Sequence, residues 1–324
     1  MNYPRAISAL ALLGSALILA GCQEKPGEEQ ARPAAQTAAT QSPAGELARG
    51  LPPTPAAQSG GKALTYFNPP EKIPDNEFGK LVRQGELIFT DTPTYAKGFA
   101  GNGLNCANCH IDHGRQPNSA PLWAAYVSYP AFRKKTGEVN SFEERLQGCF
   151  MYSMNGKAPP ADSEVMKALV TYAYWMAEGA PVGDTKMAGR GYPELDKPAQ
   201  EPSAERGAKV FAANCAVCHG ANGLGQKASN GKYVFPPLWG PDSFNWGAGM
   251  HRINTAAGFI KANMPLGKGG SLSDQDAWDV AAYMNSQPRP QDPRFTGNLA
   301  ETDKKYHDEN CYYGEAPILP RKKG

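Results

Sequence analysis

The 324-residue sequence has no long hydrophobic run, no strong excess of either charge sign, and fewer charged residues than usual. No stretch approaches the roughly 20 apolar residues of a membrane-spanning helix, which argues against an integral membrane protein. The 33 Lys and Arg residues nearly balance the 31 Asp and Glu residues. The chain therefore lacks the basic character expected of a nucleic-acid-binding protein. The 35 Gly and 29 Pro residues, about a fifth of the chain, predict much irregular backbone.

Residues 1–21 have the pattern of an export signal, since Arg5 precedes a short apolar run. The segment ends in Leu19-Ala20-Gly21-Cys22, which resembles a bacterial lipobox. We therefore expect Cys22 to be lipidated and to be the only membrane contact; an ordinary signal peptide with an incidental cysteine is the alternative. Because residue 23 is Gln rather than Asp, we expect the protein at the periplasmic side of the outer membrane.

Composition divides the rest of the chain into segments. Residues 22–62 contain hardly any large apolar side chains, which predicts a disordered tether. The remaining segments are predicted to be a first domain, a Gly/Pro-rich linker, a second domain and a Pro-rich tail, over residues 63–182, 183–201, 202–289 and 290–324, respectively.

One motif occurs twice in the sequence. Cys106-Ala107-Asn108-Cys109-His110 recurs 109 residues later as Cys215-Ala216-Val217-Cys218-His219. C-x-x-C-H is the attachment signature of c-type haem, in which both thiols bind the porphyrin and the histidine is an axial iron ligand. A zinc site would need four Cys or His ligands, and neither copy has a second C-x-x-C nearby. The sequence therefore predicts two covalently bound haem c groups, ligated by His110 and His219.

Helical patterns surround both motifs. Apolar residues recur at helical spacing over 75–89 and 163–178 around the first motif, and over 274–286 after the second. Gly85 is a candidate for a close contact between helices. Both halves resemble cytochrome c domains, so the predicted fold is mainly α, with two cytochrome c-like domains in tandem, each around one covalent haem.

The second haem has a candidate for its other axial ligand in Met264, 46 residues after Cys218 and followed by Pro265. His251 is the rival. A neutral thioether raises the potential of haem iron, so the second haem is predicted to accept electrons.

The first haem has no Met-Pro counterpart. Ser141 and Glu144 predict a capping box and a helix over 142–154. Arg145, Cys149 and Ser153 then fall on one helix face. This pattern favours Cys149 as the second axial ligand. A Cys149–Cys311 disulfide is one alternative, and ligation by Met151 or Met154 is another; His113 and His307 are interpreted as surface or loop residues.

These features together resemble the thiosulfate dehydrogenase family over about residues 65–290. The resemblance is carried by both haem motifs, by Arg145-x-x-x-Cys149-Phe-x-x-Ser153-Met-Asn-Gly-Lys157, and by Asn263-Met264-Pro265. It implies a periplasmic dihaem enzyme that couples two thiosulfates into tetrathionate, with His110 and Cys149 at the catalytic haem and Arg145 and Ser153 around it. Some members have Lys beside the methionine and exchange ligands on reduction, whereas this chain has Asn263.

The reaction releases two electrons and no proton, so it needs no general base. Cys149 would supply a sulfur-reactive centre, since a thiolate is the nucleophilic form. Arg145, Lys157 and the run 133–135 are candidates for neutralising the two dianions. The haems would pass the electrons to a small periplasmic redox protein. The enzyme running mainly as a tetrathionate reductase, a dihaem electron carrier without chemistry of its own, and a Sox-type thiosulfate-conjugating cytochrome are the alternatives.

Overall fold

A computed structural model describes residues 58–59 and 62–321. The expected signal segment, the lipidation site Cys22 and nearly all of the expected tether lie outside the described residues. None of the helices in the described part of the chain combines the length and the hydrophobicity that a membrane crossing requires.

Helices dominate the described structure, which confirms the predicted mainly α fold. Three short segments of the described chain are helical but not α-helical. They are the 3-10 helices Cys106–Asn108 and Gly249–His251 and the π-helix Cys149–Ser153. The α-helices are α1 (Glu77–Thr90), α2 (Thr92–Tyr95), α3 (Ile111–Gly114), α4 (Leu122–Val127), α5 (Phe142–Gly148), α6 (Glu164–Met176), α7 (Ala204–Asn214), α8 (Ala216–His219), α9 (Ile253–Asn263), α10 (Asp274–Asn285) and α11 (Leu299–Tyr306).

The strands form isolated pairs rather than a larger sheet. Three pairs are antiparallel and one, β7–β8, is parallel. In order, the strands are β1 (Gln58–Ser59), β2 (Lys62–Ala63), β3 (Ala131–Arg133), β4 (Glu138–Asn140), β5 (Gln226–Lys227), β6 (Tyr233–Phe235), β7 (Arg289–Pro290) and β8 (Ile318–Leu319).

The first domain is organised by the crossing of α1 and α6. A Cβ atom at Gly85 would lie 2.2 Å from the carbonyl oxygen of Ala168 and 2.6 Å from Cβ of Tyr172. Only glycine allows this approach, which confirms the predicted close contact. The Asn76 side chain accepts a hydrogen bond from Gly79 N at 2.9 Å, so α1 begins at Glu77 rather than at residue 75.

The second domain repeats this crossing with α7 and α10. A Cβ atom at Gly207 would lie 1.9 Å from the carbonyl oxygen of Asp279 and 2.8 Å from Cβ of Tyr283. The Asp279 side chain adds an ion pair that the first domain lacks, because it accepts hydrogen bonds from Arg206 Nε at 2.7 Å and Nη2 at 2.8 Å. The Arg206 pair therefore ties α7 to α10.

Buried amides join the two domains. Asn245 Nδ2 donates to the carbonyl of Met151 at 2.9 Å, and Asn102 Nδ2 donates to the carbonyls of Ser153 and Ser243 at 2.9 and 3.1 Å. Since buried polar groups are costly unless paired, these bonds fix how the domains dock. The segment around Ser153 is thus held from both sides.

The C-terminal segment, residues 290–321, runs across both domains. Strand β8 pairs with β7 next to the second domain, and α11 lies between them in sequence. Further on, Arg321 Nη2 donates to the carbonyl of Gly156 at 3.2 Å. The segment therefore reaches back to the loop that comes after the π-helix.

Candidate active site

The first C-x-x-C-H motif lies on the Cys106–Asn108 turn. The Asn105 side chain accepts from Thr92 N at 2.9 Å, and Asn105 N donates to Asn108 Oδ1 at 2.7 Å. His110 Nδ1 lies 2.7 Å from the carbonyl oxygen of Ala120. This contact orients the ring and would leave Nε2 available as an iron ligand, while burial lowers the pKa of His110 to about 4 and keeps the imidazole neutral.

The second motif uses the same device. His219 ends α8, and its Nδ1 lies 2.8 Å from the carbonyl oxygen of Pro236. Burial lowers the pKa of His219 as well. Both motif histidines are therefore oriented by a backbone carbonyl from a loop on the C-terminal side of the motif.

A cavity of about 1260 Å³, counting the solvent at its mouth, lies beside the second motif. Met264 lines it and comes directly after α9, whereas His251 does not line it. The donor set fits a covalently attached haem with one histidine and one thioether ligand. Lining residues come from both domains and include Leu104, Ala107, Cys109, Ile111, Cys215, Cys218, His219, Pro265 and Met284.

Asn263, the neighbour of Met264, is fully engaged in the domain interface. Its Nδ2 donates to the carbonyl of Asn118 at 3.0 Å, and its Oδ1 accepts from Gln116 Nε2 at 2.8 Å. The side chain is buried. Its amide is therefore occupied by hydrogen bonds to the first domain and, through Nδ2, to the carbonyl of Phe259 at 3.0 Å.

Arg145 and Cys149 form the predicted pair one helical turn apart. Arg145 Nη1 donates to Cys149 Sγ at 2.8 Å. The negative charge of a Cys149 thiolate raises the pKa of Arg145 above its usual range. The capping box is confirmed, since Ser141 N donates to Glu144 Oε2 at 2.7 Å and Glu144 N donates to Ser141 Oγ at 3.2 Å.

The predicted single helix over 142–154 is wrong in its second half. The α-helix ends at Gly148 and a π-helix continues over Cys149–Ser153. Such π turns are rare and occur often at functional sites. In this wider turn, the carbonyl of Ser153 accepts a hydrogen bond from Asn102 Nδ2. The position of the turn is therefore fixed by a residue 51 positions earlier in the sequence.

Cys149 and the first haem motif lie close together in the fold. Burial raises the pKa values of Cys106 and Cys109 to about 12, and the negative charge of nearby Cys149 adds to this effect. No disulfide joins any of the six cysteines in the described part of the chain, which contradicts the alternative of a Cys149–Cys311 disulfide. Met154 is buried in the hydrophobic core.

The predicted basic groups differ in their exposure to solvent. Lys157 is exposed, with its backbone N donating to the carbonyl of Phe99 at 2.9 Å. Lys135, from the turn between β3 and β4, instead reaches inward: its Nζ contacts the carbonyl of Gly247 and lies 3.7 Å from the centre of the Tyr152 ring. Burial lowers the pKa of Lys135 to about 7.

Tyr192 is a site residue that the sequence did not indicate. It belongs to the linker between the domains, and its ring centre lies 5.4 Å from that of Phe259 on α9. Burial raises the pKa of Tyr192 well above the usual range. The charges of Cys109 and Cys149 raise it further, and the charge of Arg145 lowers it. A lone tyrosine in a Gly/Pro-rich linker carries no local signal of this position.

Two histidines have environments different from those expected. His113 is buried, and its Nδ1 lies 2.8 Å from Glu86 Oε1. His307 is also buried, and its ring stacks on Tyr313 with centroids 4.0 Å apart. A surface position is wrong for both, because tertiary contacts cover the two side chains, although His307 does lie in the loop after α11.

Comparisons with known proteins agree with this arrangement. Residues 93–182 match the SoxA/TsdA cytochrome c domain, and residues 204–288 match the cytochrome c family. The chain is 59% identical to the thiosulfate dehydrogenase of Stutzerimonas stutzeri over 76% of this chain and 81% of that protein. It is also 59% identical to the thiosulfate dehydrogenase of Thiomonas intermedia, over 76% and 79% of the two chains.

A solved structure, thiosulfate dehydrogenase (TsdBA) from Marichromatium purpuratum in its as-isolated form, is also similar. It has a TM-score of 0.76 and 46% sequence identity, and the match covers 79% of this chain. The present chain spans 58% of that solved chain.

Two attachment motifs, each in a matched cytochrome c domain, define a dihaem c-type cytochrome, and the two haems are covalently bound. Within that class, the identities extend over most of the chain and of its relatives. The chain belongs to the thiosulfate dehydrogenase family.

Proposed function

We propose that the protein oxidises two thiosulfate ions to one tetrathionate ion, and that the reaction is reversible. The observation that carries this proposal is the Arg145–Cys149 contact beside the first haem motif. A simple electron carrier needs no cationic group held against a cysteine sulfur, whereas sulfur chemistry on an anionic substrate does. The family relationship supports the same activity.

The residues divide into two ligand sets. His110 and, in the resting state only, Cys149 would hold the iron of the first haem, and His219 and Met264 would hold that of the second. The haems would supply the sink for the two electrons that the reaction releases. An anionic thiolate ligand favours ferric iron and a thioether favours ferrous iron, which would favour electron flow from the first site to the second.

Cys149 carries the sulfur chemistry. Its thiolate and the outer sulfur of thiosulfate form one S–S bond, with loss of two electrons, to give Cys149–S–S–SO₃⁻. The outer sulfur of a second thiosulfate then attacks the substrate sulfur bound to Cys149 Sγ. The new S–S bond forms as the Cys149–sulfur bond breaks, which releases tetrathionate and restores the thiolate. No proton is taken up or released in either step.

Cationic side chains bring the two dianions together. The guanidinium of Arg145 presents a planar fork of donors suited to a sulfonate group. Lys135 adds a half-buried amine that carries a positive charge below about pH 7. Exposed Lys157 would act at the entrance, and Ser153, at the end of the π-helix that begins with Cys149, would contribute its hydroxyl.

The electrons leave through the second domain. The cavity around Met264 is also lined by Cys109 and Ile111 of the first domain, which supports a short path between the two sites. A small cytochrome-type protein accepts the electrons at the periplasmic side of the membrane. Lipidated Cys22 holds the enzyme there, and an outer-membrane location is inferred from Gln23.

Replacing Cys149 tests the activity directly. Cys149→Ala should abolish thiosulfate-dependent haem reduction, while a haem stain still detects haem attached through the motif cysteines. Gln147→Ala is the matched control on the same helix, because its Nε2 only donates to the carbonyl of Pro159 at 2.9 Å. Near-normal rates in Cys149→Ala would contradict the proposal and favour a dihaem electron carrier.

A further inference from the structure

A cluster of metal-ligating side chains lies apart from both haem motifs. It consists of His251, His307 and Cys311, and one ligand atom from each lies within 4.8 Å of the others. His251 belongs to the 3-10 helix before α9, whereas His307 and Cys311 come from the C-terminal segment. The cluster therefore joins the second domain to the segment that crosses it.

The spacing of the donor atoms suits a tetrahedral ion. Cys311 Sγ lies 3.5 Å from His307 Nδ1. In a tetrahedral zinc site, a sulfur at about 2.3 Å and a nitrogen at about 2.0 Å from the ion are themselves about 3.5 Å apart. These two atoms would need little movement to ligate one ion.

A buried carboxylate lies on the far side of the His307 ring. His307 Nε2 lies 3.2 Å from Asp292 Oδ2, and both side chains are fully buried. The two atoms do not form a well-aligned hydrogen bond, so the contact is electrostatic. The negative charge of Asp292 favours the tautomer with the proton on Nε2, which would leave the Nδ1 lone pair for a metal. Asp292 is itself fixed by Arg294, whose Nε and Nη2 donate to it at 3.0 and 2.6 Å.

His251 contributes an independent sign of a ligand. The residue is 4% exposed, and its Nδ1 has no hydrogen-bond partner among the described residues. A buried polar atom without a partner is energetically unfavourable, which indicates a ligand for it. The ring lies edge-on to that of His307, with centroids 4.8 Å apart, so the two imidazoles are close enough to bind one ion.

Two of the arginines near the cluster are paired with carboxylates. Arg252 is paired with Asp308 and Arg294 with Asp292, which limits their repulsion of a cation. The Cys311 thiolate would supply the negative charge among the ligands themselves.

We propose that His251, His307 and Cys311 bind one zinc ion, with a water molecule as the fourth ligand. One thiolate and two imidazoles are ligands that zinc accepts. The filled d shell of zinc gives the ion no electronic preference that would oppose a tetrahedral arrangement. The bound ion ties the C-terminal segment to the second domain. Because Arg321 of that segment holds the carbonyl of Gly156, the ion also stabilises the loop beyond the π-helix.

Metal content of the holoprotein tests the proposal. After treatment with a chelator and dialysis against Zn²⁺, elemental analysis should give one zinc per two irons. Cys311→Ser and His251→Gln should fall to background, each with both haems retained. His113→Gln is the matched control, because it replaces a buried histidine outside the cluster and should keep one zinc per chain.

Zinc-edge X-ray absorption of the loaded protein should show one sulfur at about 2.3 Å and two nitrogens at about 2.0 Å. Zinc should also raise the thermal midpoint of the wild-type protein and leave that of Cys311→Ser unchanged. If His251→Gln fails to fold, the half-buried Cys311→Ser decides the result. No stoichiometric zinc in the wild type, equal zinc in Cys311→Ser, or uptake of copper in place of zinc would overturn the proposal.

Discussion

The two haem domains pack their first helix against their last helix in the same way, and they differ in one segment. In each, a glycine on the first helix lies against a backbone carbonyl and a tyrosine Cβ on the last helix, Gly85 against Tyr172 and Gly207 against Tyr283. Each motif histidine is oriented by a loop carbonyl. The segment that differs is the one that carries the residue we propose as the second axial ligand.

In the first domain, α5 and the π-helix present Arg145 and Cys149, and in the second, α9 leads directly to Met264. The two domains therefore share the helix crossing and the histidine–carbonyl contact, and under our proposal the intervening segment determines the role of each haem. This is the general relation between fold and site: function depends on residues placed on a shared scaffold.

The largest expected effect comes from breaking the shared framework. Gly207→Val would place side-chain atoms within 1.9 Å of the Asp279 carbonyl, so α7 and α10 must separate. We expect a loss of about 3 kcal/mol or more in the free energy of unfolding. Thermal unfolding measures it. Gly191→Ala, where a Cβ meets nothing within 4 Å, should have a midpoint close to that of the wild type.

Gly85→Val should be as damaging as Gly207→Val, because the first domain has the same crossing. A Cβ at Gly85 would lie 2.2 Å from the Ala168 carbonyl. If one of the two valine variants were tolerated, the two domains would not share the packing constraint that the two glycines indicate.

A smaller effect is expected from Arg145, which belongs to the first domain only. Arg145→Ala should reduce kcat/KM for thiosulfate about 30-fold, since a hydrogen bond to a charged group contributes roughly 2 kcal/mol. Arg145→Lys should recover only part of the rate, because a lysine lacks the planar fork. Full activity of the lysine variant would show that charge alone is sufficient.

The smallest expected effect is the pH dependence caused by Lys135. Its pKa is lowered to about 7, so its positive charge is present below pH 7 and lost above it. The KM for thiosulfate should therefore rise several-fold between about pH 6 and 8. The charged and titratable groups that act on this ammonium are Arg294, Arg145, Asp292, Cys149 and His251.

Two variants separate Lys135 from those neighbours. Lys135→Arg should keep a low KM across the range, because arginine stays protonated, and Lys135→Gln should have a high KM throughout. A wild-type pH profile retained in Lys135→Gln would assign the titration to another group.

Local patterns in the sequence predict much of this structure. Helical spacing predicts α1, α6 and α10 to within a few residues, and the capping box at Ser141 marks the start of α5. The attachment motifs predict both haems. These features depend on contacts between residues close together in the chain, which a local pattern records.

Long-range contacts account for what the sequence did not predict. Tyr192 comes to the site from a linker, with no periodicity or motif to mark it. The run 133–135 is marked by its charge, but the sequence does not show that Lys135 is the member that reaches inward. The π-helix replaces an α-helical turn where Asn102 and Asn245 of other segments hold its carbonyls. His251 meets His307 only because the C-terminal segment folds back on the second domain.

The difference between the two haem sites is tested most directly by electron paramagnetic resonance of the oxidised holoprotein. Wild type should give one low-spin signal typical of thiolate ligation and one typical of histidine–methionine ligation. Cys149→Met should lose the thiolate signal and make the first site resemble the second. Two histidine–methionine signals in the wild-type protein, or a thiolate signal that persists in Cys149→Met, would contradict the assignment of Cys149 as the ligand that makes the first haem catalytic.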